Sequence, residues 1–160
     1  MNDSLVQVTH KELLNLLMSG DRSKCSELVR NYLNNGASIE VLYETIIKEA
    51  LYEVGELWEY NKISVATEHL ASAIVEGILN EIYFKIISGD KINKTVILSC
   101  TEDEYHQIGI KMISDVFEMN GWNSYFLGAN TPTDELISFS KTIKPDIFAI
   151  SLSIYFHLRY

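Results

Sequence analysis

Cysteine is scarce: Cys25 and Cys100 are the only two in 160 residues. They lie too far apart for a CxxC or zinc spacing and give no disulfide framework, which fits a reducing, cytoplasmic setting. Proline numbers 2 and glycine 8, so collagen-like and low-complexity classes are excluded. Positive charge is also short. Lys and Arg total 13 against 22 Asp and Glu, a formal net charge of −9. That balance argues against this chain gripping nucleic acid or an anionic membrane by itself. No apolar run approaches the length of a membrane span. The opening MNDSLVQVTHKELL lacks the charged-then-apolar order of a signal peptide. What the chain does have is 47% hydrophobic and 22% charged residues. It can bury a core, at a length that suits one ordinary domain or two small ones.

The chain changes character near Gly89. Before it, apolar residues recur at helical spacing and predict four helices. Thr9 and Glu12 form a capping-box pattern ahead of Leu13, Leu14, Leu16 and Leu17. Gly20 and Asp21 break that helix. A second helix carries Leu28, Val29, Tyr32 and Leu33, and Asn34, Asn35 and Gly36 end it. Ser38 caps a third, with Ile39, Leu42, Ile46, Ala50, Val54 and Leu57 inward. Ser64 caps a fourth, long helix with Val65, Leu70, Ala73, Ile74, Ile78, Ile82 and Ile86. Short connections favour a small bundle.

The stretch from Ser88 to Lys94 is polar and reads as a linker and hinge. The expected division is a helical cap over 1–88, a linker over 89–94 and an α/β part over 95–160. Thr95–Cys100 (TVILSC) is a continuous apolar run, typical of a strand buried on both faces. Gln107–Met119 reads as helix, Asn123–Leu127 as strand, Thr133–Thr142 as helix after Pro132, and Pro145–Ile154 as a third strand. That alternation predicts a parallel α/β sheet. Doubly wound sheets usually have more strands. The expectation is therefore a truncated sheet or fragment, or an open third-strand edge that something must cover.

Of four histidines, His106 has the most informative setting. It follows the first strand in Glu104-Tyr105-His106-Gln107-Ile108-Gly109, and the carboxyl ends of parallel strands are where such sheets bind ligands. An imidazole there can ligate a metal, while Glu104 holds its other ring nitrogen. Gly109 lets a large flat group approach the backbone. Trp58 ends the third helix, and Glu68 and His69 open the fourth after one tight turn, so the three can converge on one opening of the bundle. An indole offers a flat surface to a purine, and a carboxylate can bond a ribose hydroxyl. The alternative is that Trp58 plugs the core and Glu68 is a first-turn acid. The other residues have plainer readings. Trp122 packs where helix meets strand, and Cys100 is a small hydrophobe. His10 is solvated in a first turn. Tyr83, Phe84, Tyr155 and Phe156 are core or interface, and His157 is a weak candidate for the lower side of a site.

On the acid-x-His-x-x-Gly run, on Asn120-Gly121-Trp122 and on Phe126-Leu127-Gly128-Ala129-Asn130-Thr131-Pro132, the second half resembles the cobalamin-binding domain family. The first half resembles the four-helix cap that precedes this domain. Val54-Gly55-Glu56-Leu57-Trp58 and Ile63 to His69 carry that likeness. Nine residues separate Trp58 from Glu68-His69, a spacing similar to the cap of CarH-type light-sensing regulators.

The resemblance implies a helical cap and a flavodoxin-like, Rossmann-type α/β domain, truncated after about three strands. It implies His106 as the lower cobalt ligand, in place of the cofactor's own benzimidazole, with Glu104 orienting it. Trp58, Glu68 and His69 would enclose the adenosyl group, and Ser151 and Ser153 would meet the nucleotide tail. Two departures stand out. Glu59 follows Trp58, where the light sensors commonly carry a histidine that takes the upper cobalt position after illumination. The glycine pair beyond the third strand is absent. No catalytic constellation is visible. The expected function is a sensor binding adenosylcobalamin, responsive to loss or photolysis of the adenosyl group. Its output would pass through a homo-oligomer, a partner protein or another domain. A methylcobalamin carrier for a methyltransferase system and a non-binding interaction module are the alternatives.

Overall fold

The computed structural model describes residues 3–87 and 89–153, with residues 3–5 described by backbone alone. Ser88, Ile154, Tyr155, Phe156 and His157 lie outside the described residues. The chain divides into two compact units, Met1–Ile82 and Tyr83–Tyr160.

The first unit is helical. α1 (Asp3–Ser19) starts ahead of the expected capping box. Helix propagation adds a hydrogen bond for each residue fixed, and Thr9 is buried within the helix rather than capping it. His10 is correspondingly mid-helix and mostly buried, with Nε2 3.9 Å from Glu53 Oε2, not solvated in a first turn. Asp21 caps α2 (Arg22–Asn34) by accepting from the Lys24 N–H at 3.1 Å. Val29, Tyr32 and Leu33 are buried as expected, joined by Cys25.

Ser38 caps α3 (Ile39–Val41), its Oγ accepting from the Val41 N–H at 3.2 Å. α3 runs directly into a π-helical turn, Leu42–Ile47, and then α4 (Lys48–Glu59). Lys48 N–H bonds the Tyr43 carbonyl, the wide i→i−5 pattern. A step of four residues along an α-helix overshoots a full turn by roughly 40°. Leu42, Ile46, Ala50 and Val54 are spaced by fours, and all are buried. The wider π turn takes back part of that drift and keeps them on one face.

In α5 (Val65–Ile82) the inward stripe is Ala71, Ile74, Val75, Ile78, Leu79 and Ile82. Val65, Leu70 and Ala73, expected inward, are exposed because they lie off this stripe. Leu70 has a specific neighbour: its Cδ2 fills the space where a Cβ on Gly20 would sit. α5 stops at Ile82, and a 3-10 turn, Tyr83–Lys85, follows before buried Ile86.

The second unit holds β1 (Thr95–Cys100), α6 (Ile108–Met119), β2 (Asn123–Gly128), α7 (Thr133–Ile143) and β3 (Ile147–Ser151). The sheet is parallel in the order β2-β1-β3. β1 is central and almost wholly buried, as its apolar run predicts. Val96, Leu98, Cys100 and Ile110 form the core, with Phe117, Trp122, Phe126 and Ala149 packed against it. Trp122 meets Phe117 edge-on at 5.1 Å. β3 is shorter than expected. Lys144 ends α7 in a left-handed conformation, and Asp146 instead binds the start of β1, accepting from the Thr95 N–H at 2.9 Å.

The 89–94 stretch belongs to the second unit rather than tethering it. Ile92 N–H bonds the Gly121 carbonyl at 3.0 Å, and Asn123 N–H bonds the Lys94 carbonyl at 2.7 Å. Lys91 reaches Glu118 at 2.6 Å and Lys94 reaches Asp146 at 2.6 Å. The unit boundary therefore falls at Ile82/Tyr83 rather than at residue 88. Tyr83 and Phe84 are exposed rather than core, the Tyr83 ring lying 5.5 Å from Lys111 Nζ.

Candidate functional site

The carboxyl ends of the three parallel strands come together around one side chain. Glu104 is fully buried. Its Oε1 accepts from the His106 N–H at 2.8 Å and lies 2.6 Å from His106 Nδ1. Its Oε2 accepts from the Ser153 N–H, beyond β3, at 2.7 Å. Its backbone carbonyl accepts from the Asn130 N–H, beyond β2, at 2.8 Å. One residue thus ties the loops after all three strands. A buried carboxylate needs this many donors to offset its lost hydration.

A carboxylate only accepts, so the geometry puts the His106 ring proton on Nδ1 and leaves the Nε2 lone pair for another partner. The His106 side chain is 61% exposed. Only Tyr105 separates the two residues, in a loop without regular secondary structure, so the Glu104 carboxylate is within reach of the His106 ring. A Cβ built on Gly109, exposed in the first turn of α6, would meet nothing within 4 Å. Thr101 Oγ1 is buried without a hydrogen-bond partner at the end of β1. Behind the loop, Cys100 Sγ lies 3.7 Å from the His106 carbonyl. Burial, and then the Glu104 carboxylate, hold that thiol above its usual pKa.

Further bonds brace the loop. Asp103 N–H donates to Asn130 Oδ1 at 3.0 Å. Ala129 N–H donates to Gln107 Oε1 at 3.0 Å. Glu102 Oε2 lies 3.3 Å from the Thr133 hydroxyl. Asp103 and Asn130 both have positive φ, which asparagine and aspartate tolerate better than most residues. The β1–β2 register shifts between Leu98 and Ser99, where Ser99 pairs with Gly128. Such bulges re-aim a strand end. Ser151 pairs with Cys100 in register, and its carbonyl accepts from the Thr101 N–H at 3.2 Å. Of the residues singled out from sequence, Glu104, His106, Ser151 and Ser153 are therefore drawn together here. Gln107, Asn130, Glu102 and Thr101 were missed. Only Asn130 carried a signal, as an asparagine in a Gly-Ala-Asn turn run.

In the first unit, Trp58, Glu68 and His69 lie at the α4–α5 corner. The Trp58 carbonyl accepts from the Asn61 N–H at 2.9 Å, and Asn61 turns the chain with φ +55. Ser64 caps α5 by accepting from the Thr67 N–H at 3.2 Å. Trp58 is 49% exposed, so it is a surface indole and not a core plug. His69 is well exposed and shares a 2.5 Å contact with Glu68 Oε2 through Nδ1. Glu68 Oε1 also accepts from the Ser72 hydroxyl at 2.9 Å. The corner thus holds a half-exposed indole and a carboxylate–imidazole pair.

Comparison with known proteins agrees with both halves. Two family models, each described as a B12 binding domain, match residues 9–83 and 94–159. The HTH-type transcriptional repressor CarA of Myxococcus xanthus is 30% identical over 90 residues, which are 56% of this chain and 31% of that protein. The repressor CarH of the same organism is 26% identical over 109 residues, 68% of this chain and 36% of that protein. The chain thus spans about a third of the length of these relatives. Among solved structures, the monomethylamine corrinoid protein of Methanosarcina barkeri superposes with a TM-score of 0.76 at 13% identity, covering 92% of this chain and 71% of that one. The methanol:cobalamin methyltransferase complex MtaBC of M. barkeri gives a TM-score of 0.51 at 16% identity, covering 96% and 58%. These structural likenesses show the fold, a helical unit followed by a Rossmann-like sheet. With its two halves matched in order by models of the same cofactor-binding description, the chain belongs to the B12-binding domain family.

Proposed function

We propose that this protein is a regulatory module that takes adenosylcobalamin in its base-off form, with His106 as the lower cobalt ligand, and signals through loss of the adenosyl group in light. The observation that carries the reading is the Glu104–His106 pair at the end of β1: Nδ1 is occupied and the ring is exposed. The residues present fit the cofactor. Among the described residues no three His, Cys, Asp or Glu side chains form a group able to hold a metal ion. A lone imidazole suits a metal that brings its other ligands with it, as cobalt does in a corrin. The open space at Gly109 and the unpartnered Thr101 hydroxyl suit a flat polar macrocycle.

The cofactor would supply a light-labile cobalt–carbon bond. This chain's residues would hold and shield it. Glu104 keeps the imidazole in one tautomer and one orientation toward a metal. Trp58 offers an indole face to the adenine, with Glu68 and His69 as polar partners for the ribose. Ser151 and Ser153 would meet the nucleotide tail. The similarity to CarA and CarH supports the regulatory reading. Any transcriptional output would be exerted through another domain, a partner protein or a change of oligomer.

Glu59 favours a second reading. It places a carboxylate after Trp58, where the light sensors commonly carry an imidazole. A carrier of methylcobalamin in a methyltransferase system needs no such imidazole.

The protein purified in the dark with adenosylcobalamin should retain a corrin spectrum, and green light should bleach it with a change in oligomer size. Transfer of a methyl group from bound methylcobalamin to a thiol, without any light response, would favour the carrier. If no corrin colour survives gel filtration, both readings fall. His106→Ala should remove the histidine-ligated cobalt spectrum; an unchanged spectrum removes the ligand assignment.

A further inference from the structure

Gln107 joins His106 to α6 and occupies the N-cap position of that helix, with φ −93 and ψ −12. An N-cap side chain ordinarily accepts from the first free N–H groups of its own helix. Gln107 makes no such bond. Its side chain instead crosses to the loop after β2, where Oε1 accepts from the Ala129 N–H at 3.0 Å. The adjoining Gly128 has φ +80, and a Cβ there would lie 2.8 Å from the same Gln107 oxygen. The space that a side chain at 128 would need is filled by the Gln107 amide. Gly128 is also where the β1–β2 register shifts, opposite Ser99.

His106 is therefore held from both sides. Glu104, on its amino-terminal side, holds the ring and the N–H. Gln107, on its carboxyl side, ties the start of α6 to the β2 loop. We propose that Gln107 is a positioning residue for His106: its bond to Ala129 fixes where α6 begins and so the direction in which His106 presents Nε2. The proposal rests on the lower-ligand reading only for its second measurement below.

The first measurement uses the full chain without cofactor. Nitrogen-15 NMR follows the His106 imidazole and the exchange rate of the Ala129 amide in Gln107→Leu, Gln107→Asn and Gln107→Glu. Leu lacks the acceptor and Asn is one carbon too short to reach Ala129. Glu keeps an oxygen at the right distance. The first two should speed Ala129 exchange and shift or broaden the His106 ring signals, with Tm close to wild type. Gln107→Glu should restore both. Gln107→Asn keeps the test open if the leucine variant folds poorly. Unchanged His106 signals in the Leu and Asn variants, or no rescue by Glu, would overturn the proposal.

The second measurement titrates hydroxocobalamin and reads histidine ligation in the absorption spectrum. Gln107→Leu should bind about tenfold more weakly, the lower end for loss of a residue that supports a metal ligand. Wild-type affinity in Gln107→Leu would overturn the proposal. If wild-type protein shows no ligation while the NMR effects appear, the lower-ligand reading fails and the positioning role of Gln107 stands.

Discussion

Glu104 shows how much one buried charge can organise. Both carboxylate oxygens are engaged, and they accept from donors on two different loops. Glu104→Leu would leave the part-buried His106 and Ser153 N–H groups without their acceptor. The expected cost is about 3 kcal/mol from unsatisfied donors, read as a lower urea midpoint at neutral pH. Glu104→Gln should lose less, because an amide oxygen still accepts. The acid–imidazole pair was legible in the sequence because a single residue separates its members. Ser153 as a partner was not legible, because 49 residues separate it from Glu104. Cys25 makes a second residue-level prediction. Burial, reinforced by Asp21, pushes its thiol up to about 11 from 9.0. The fold favours the neutral thiol, so its contribution is intact below pH 9. It is lost as pH rises from there toward 11, where only the unfolded chain releases the proton readily. Denaturant stability of wild type should therefore fall across that window more than that of Cys25→Ala.

Elements were legible where pattern and burial agree. β1, β2, α6 and α7 fall within a residue or two of their expected spans, because a buried strand needs an unbroken apolar run and an amphipathic helix a periodic one. The capping box at Thr9 misled because a Thr-x-x-Glu pattern inside a longer helix has no free N–H groups to satisfy. The π-helical turn at Leu42–Ile47 has no residue signature of its own. Its trace is an apolar spacing of four sustained too long for a straight α-helix. The α6–β2 turn makes the element-scale prediction. Gly121 has φ +80, and a Cβ there would lie 2.4 Å from the Asp90 carbonyl oxygen. That obstacle is backbone and cannot rotate away. Gly121→Ala should cost about 2 kcal/mol or more from strain and displacement. It should also detach the 90–94 stretch, seen as faster exchange of the Ile92 amide.

At the scale of the whole molecule, β3 is an edge strand of the described sheet, and Ile147, Phe148 and Ile150 on it are exposed. Unpaired apolar edges recruit other strands. Reversible self-association rising with concentration is the expected outcome in sedimentation velocity, and Ile150→Lys should reduce it. A wild-type protein that sediments as one species across the full concentration range would contradict this. The division into a helical and an α/β half was readable from the change in periodicity near Gly89, since periods of 3.6 and 2 record which faces each element buries. The position of the boundary was not. A polar composition marks 89–94 as solvent-facing, and only the fold shows it bonded along the α6–β2 turn. By itself the sequence determined the order of elements, the carboxylate–histidine pair and the Trp58, Glu68, His69 spacing, because these depend on near neighbours along the chain. The tertiary structure alone decided which loops Glu104 and Gln107 tie together and that Trp58 stands at the surface. Those facts depend on groups far apart in the chain, whose meeting follows from packing and hydrogen-bond satisfaction rather than from local pattern.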